Sequence, residues 1–156
     1  MAKAGYGTST EGTVALAAAT AKTILGVAAP SSFGVDLKTL RVSFDGVTAS
    51  AVPVLVELCY ATFATNAPGT NSTSTTIDQL YGRSITAGFT GAKNWTTEPT
   101  VLTPLDEWLL TPAGGLVIYD YMLGNSPDSA VSQGFVLRCN APAVVNVRAS
   151  LAFERA

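Results

Sequence analysis

The chain has 156 residues and a formal net charge of −2, with charged side chains at 13% against about 25% in an ordinary soluble domain. That balance excludes a basic surface able to hold nucleic acid through its phosphates. Apolar residues make up 47%, and 23 alanines and 20 threonines mean that much of the uncharged surface is built from small side chains. Such a surface suits tight contact between subunits.

Residues 1–12 (MAKAGYGTSTEG) are small and polar without a period, so a flexible N-terminal arm is expected, ahead of a single β-sandwich domain over 13–156. Residues 14–19 and 23–28 read as two short strands. Leu40, Val42 and Phe44 share one face of the next strand, with Arg41 and Ser43 opposite, and Asp45-Gly46 signals a tight turn. Residues 52–63 form a further strand, with Val54, Val56, Leu58 and Tyr60 on one side. Pro53 lacks an amide donor and marks that strand's beginning or an edge.

Residues 64–76 (ATNAPGTNSTSTT) have little to bury and are expected to be a flexible loop facing solvent. Residues 77–94 read as a long excursion with one short strand, and residues 95–103 as extended chain in which Pro99 and Pro104 oppose a helix. Strands follow at 107–111 (EWLLT) and 116–123 (LVIYDYML), separated by Pro-Ala-Gly-Gly. Asp120, inside the second of these, is expected to face solvent, the alternative being a buried acid or an intersubunit partner.

The last stretch has the clearest pattern. Phe135, Leu137 and Cys139 share a face, and after Ala141-Pro142 so do Val145, Val147, Ala149, Leu151 and Phe153, with Asn146, Arg148, Ser150, Ala152 and Glu154 opposite. A period of two is that of a half-buried strand, and the pair reads as an antiparallel hairpin. The whole predicts an all-β protein, an antiparallel and jelly-roll-like β-sandwich of about eight strands.

Chemistry is sparse. The chain has no histidine, which removes the commonest general base and metal ligand. Asp106 and Glu107 are the only adjacent carboxylates, and neighbours on a strand point to opposite faces. No serine lies in a G-x-S-x-G elbow and no glycine run has phosphate-loop spacing. No catalytic, cofactor or metal residues are therefore assigned, and no enzyme or small-molecule substrate is expected. Cys59 and Cys139 lack metal-ligand spacing and are expected as buried free thiols, with one disulfide the alternative. Trp95 and Trp108 are expected to fill a core or interface rather than to stack on sugars. Residues 13–29 are apolar, but Lys22 interrupts them and no basic start precedes them, so neither a signal peptide nor a membrane span is expected.

Two blocks carry a resemblance. The first is residues 42–58 (VSFDGVTASAVPVLVEL). The second joins Glu107-Trp108 and Pro112-Ala-Gly-Gly115 to residues 138–149 (RCNAPAVVNVRA). Together they resemble a family of small virion proteins of tailed bacteriophages, the head decoration or minor capsid proteins, over about residues 14–154. The resemblance implies a jelly-roll-like sandwich on the outer capsid surface, assembled in the host cytoplasm. It implies a homotrimer at three-fold positions that cements neighbouring copies of the major capsid protein and catalyses nothing. The alternative is a receptor- or carbohydrate-binding sandwich of a phage tail or fibre. On this reading the arm is the anchor, and Lys3, Tyr6, Thr8 and Thr10 are the candidate contacts to capsid or neighbouring subunit.

Overall fold

The computed structural model describes residues 3–45, 52–100 and 102–156; the turn expected at Asp45-Gly46 falls partly outside them. Twelve strands and no helix occur among the described residues. They are β1 (Gly5–Ser9), β2 (Val14–Leu16), β3 (Ala21–Ala28), β4 (Val35–Asp45), β5 (Val54–Ala61), β6 (Thr73–Thr75), β7 (Asp78–Tyr81), β8 (Thr90–Lys93), β9 (Leu102–Leu110), β10 (Val117–Asp120), β11 (Gly134–Asn140) and β12 (Val145–Arg155).

The strands form two six-stranded antiparallel sheets. One runs β10-β4-β12-β1-β7, with β2 also paired to β12; the other runs β6-β8-β3-β11-β5-β9. Because β4 occupies one edge of β12, β1 and β2 lie in tandem on the other edge. Count β1 and β2 as one strand and set aside β6, β7 and β8. Eight strands then remain, in the order first, eighth, third, sixth in one sheet and second, seventh, fourth, fifth in the other. That is a jelly-roll-like path across a sandwich.

The faces of β12 follow its alternation. Val145, Val147, Ala149, Leu151 and Phe153 are buried between the sheets, and Arg148 is exposed. The partner of β12 is not the expected one. β11 and β12 do not pair as a hairpin. β11 is flanked by β3 and β5, so both its edges are used, and the chain crosses to the other sheet after Asn140. The crossing is pinned where the Ala19 amide donates to the Ala141 carbonyl at 2.7 Å.

The expected flexible arm is also corrected. Gly5–Ser9 is a strand held between β12 and β7. Its alternation of glycine or serine with larger residues, too small to register as a hydrophobic period, turns Tyr6, Thr8 and Thr10 inward. The Tyr6 ring joins an aromatic cluster in which Phe89 touches Tyr6, Phe33 and Phe153 at centroid distances of 5.6, 5.2 and 4.8 Å.

The excursion over 77–94 supplies an added strand to each sheet, β7 to one and β8 to the other. The polar loop before it does not stand free. Trp95, Phe63, Cys59, Ala61, Ala92 and Val136 form a second apolar cluster on the outside of the β3-β11-β5 sheet. Trp95 Nε1 donates to the Asn66 carbonyl at 2.8 Å and ties the loop down. Gly26 makes this possible: a Cβ there would lie 2.7 Å from Val136 Cγ1 and 3.0 Å from the Trp95 ring.

Candidate interaction surface

Both sheets end on the same side of the sandwich, one at β9 and the other at β10. An edge strand offers unpaired amides and carbonyls, and natural edges usually carry charge or bulges to discourage pairing. β9 carries one such device. Pro104 stands opposite Cys59 at a shift of register, where a missing amide costs little because the strand lies at the edge.

What distinguishes this side is its apolar content. Trp108 and Leu110 on β9 pack against the core, which leaves Leu105, Glu107 and Leu109 pointing away from it. Leu105 and Leu109 are exposed, and so are Leu116, Ile118 and Tyr119 around β10. The chain then turns through Met122 and Leu123, exposed by 74% and 98%. Exposed apolar residues gathered on two neighbouring edges mark a contact site more often than a scattered leucine does. The Trp108 and Tyr119 rings, 5.6 Å apart, bridge the two open edges, and Tyr119 packs on Tyr121 at 4.8 Å. Tyr121 turns inward against the core. Burial first, and then the charge of Asp106, pushes its hydroxyl up to about 12. Asp120 is exposed and in no ion pair among the described residues.

A cleft of about 400 Å³ lies beside β1 and β7, lined in part by Lys3, Arg83, Ile85, Glu154 and Arg155. Glu154 anchors it. Its residue is 8% exposed although it lies on the outward face of β12. The Tyr81 ring lies across Gly5, filling the space a Cβ would take, and its hydroxyl donates to Glu154 Oε1 at 2.6 Å. Burial and that carboxylate push the Tyr81 hydroxyl up to about 12. Glu154 Oε2 makes no hydrogen bond and is held by charge alone, 3.2 Å from Lys3 Nζ and 3.9 Å from Lys38 Nζ. Arg155 donates to the Thr86 carbonyl and stacks on Phe33, 4.3 Å from the ring centroid. The Arg83 carbonyl accepts from Gln79 Nε2 at 2.7 Å, while its guanidinium has no ion-pair or hydrogen-bond partner among the described residues.

Of the four contact residues expected from the sequence, Lys3 and the largely buried Tyr6 line this cleft. Tyr6, Thr8 and Thr10 are 1%, 3% and 2% exposed. The Tyr6 hydroxyl donates to the Ile85 carbonyl at 3.1 Å, Thr8 and Thr75 share a hydrogen bond of 2.6 Å, and the Thr10 hydroxyl donates to the Gly12 carbonyl at 2.8 Å. Their side chains are largely buried, with their hydroxyls bonded inside the molecule. The residues missed are those around β10. Their signal was the run LVIYDYML, apolar on both faces, where an edge strand with one solvated face would alternate. Cys59 and Cys139 are buried free thiols. Desolvation raises both, Cys59 to about 11 and Cys139 further. Models of protein families, curated proteins and solved structures yield no match to this chain.

Proposed function

We propose that the chain is a structural virion protein, a decoration protein that binds the outside of a tailed-phage head as a homotrimer and stabilises the lattice of major capsid protein. The observation that carries this reading is the exposed apolar surface along β9, β10 and the Met122-Leu123 tip of a jelly-roll-like sandwich. A low-charge protein with that surface reduces its exposed apolar area by assembling. The resemblance of residues 42–58, and of Glu107-Trp108, Pro112-Ala-Gly-Gly115 and residues 138–149, to head decoration proteins supports the same reading. Function then lies in surface complementarity, and what the protein contributes to a head is cohesion.

The test is co-sedimentation with heads stripped of decoration. The purified protein is expected to pellet with heads and not with an unrelated particle of similar size. Decorated heads are expected to withstand heat or chelation that bursts bare ones. Failure to pellet with any head at micromolar concentration overturns the proposal.

A further inference from the structure

Charge is distributed unevenly along this chain. Residues 94–137 contain Glu98, Asp106, Glu107, Asp120 and Asp128 and no Lys or Arg, so the rest of the chain carries +3 of the net −2. The fold makes this a difference between sides. Asp106, Glu107 and Asp120 lie on the two open edges with the apolar surface, where Arg41, opposite Ile118, is the neighbouring cation. Lys3, Arg83 and Arg155 line the cleft beside β7, where Glu154 lies 3.2 Å from Lys3 and 3.9 Å from a Lys38 that is itself paired with Asp36 at 2.7 Å. The apolar residues differ in shape as well. Met122 and Leu123 project from a turn, while the cleft is concave, with Ala4, Tyr6 and Ile85 in its wall.

We infer that the cleft beside β1 and β7 receives the acidic, apolar tip at residues 120–123 of a second copy of this chain, in a head-to-tail contact. Leu123 and Met122 enter the apolar wall, and Asp120 meets Arg83 and Lys3. This deepens the trimer reading above and rests on it, by naming which sides of the subunit meet. Two copies joined tip to tip would bring Glu107 and Asp120 of both together, and like charges brought into one contact oppose it. Tip into cleft removes that repulsion and gives Arg83 a partner. A contact between two different patches also sets the symmetry. Each copy keeps one free tip and one free cleft until a ring closes.

The test uses the full chain without heads and reads mass by analytical ultracentrifugation. Wild type is expected at three times the chain mass. The tip variant Met122→Asp/Leu123→Asp and the cleft variant Arg83→Glu are each expected to be monomeric. Mixed one to one, they are expected to form a dimer and nothing larger, since one intact tip meets one intact cleft and the other pair is spoiled. A mixture that stays monomeric, a variant that keeps the wild-type mass, or a wild-type dimer indifferent to Arg83→Glu overturns the inference. A wild-type monomer that still pellets with heads overturns this contact and leaves the decoration reading standing, whereas a head-to-tail trimer that ignores heads does the reverse.

Discussion

Phe153 and Arg148 sit on opposite faces of β12 and separate what the core needs from what the surface tolerates. Phe153 is 1% exposed and stacks edge-on with Phe89. Phe153→Ala is expected to cost about 3–5 kcal/mol, and Arg148→Ala, whose side chain is exposed, less than about 0.5 kcal/mol. Denaturant midpoints measure both, and equal midpoints would mean the faces are reversed. Tyr81 gives a pH signature. Its folded hydroxyl titrates near 12, against about 10 in an unfolded chain. Folding therefore favours the protonated form, and the stability this contributes is whole below pH ~10 and lost as pH rises from ~10 towards 12. Tyr121 shifts the same way. Thermal midpoints taken across that window are expected to fall more steeply for wild type than for Tyr81→Phe; parallel curves would remove Tyr81 as a source.

At the scale of elements, β1 changes most between sequence and structure. Deleting residues 2–10 removes a central strand and Tyr6 from the core. A loss of at least the ~3–5 kcal/mol of one large core side chain lowers the melting temperature by roughly 10 °C or more. An unchanged melting temperature would mean that β1 is not held as described. The strap over the outer cluster makes a second case. Gly26→Ala drives a methyl into Val136 and the Trp95 ring, at about 1–3 kcal/mol for overpacking. It is also expected to speed protease cleavage within residues 64–76, because displacing Trp95 loosens its bond to Asn66. Equal cleavage rates would separate the loop from the cluster. The faces of β4, β5 and β12 were legible in their alternation, since burial of one face imposes a period of two. Their partners were not, because alternation says which side of a strand is buried and nothing of which strand lies beside it. β11 shows the limit, for it carries apolar residues on both faces and reads as one half of a hairpin while filling the middle of a sheet. The exposed apolar surface was hidden for a related reason: an exposed Leu109 and a partly buried Leu110 are the same letter.

For the molecule as a whole, the pairings are distant in sequence. β1 pairs with β12, and β4 with both β10 and β12. Closing such long loops before any contact forms makes β-sandwiches slow, with refolding in milliseconds to seconds. A chain stopped after residue 144 is expected to show no cooperative thermal transition, because the β10-β4-β12-β1-β7 sheet loses its centre; a retained transition would mean that the second sheet folds alone. The same dependence sets a clock during synthesis. β12 follows every strand it joins, so Lys3 is made well before Glu154 and Arg155 emerge. Until they do, the basic cleft does not exist. If the cleft is the socket proposed above, a nascent or prematurely terminated chain offers its neighbours none, and a subunit joins a ring after translation through residue 155.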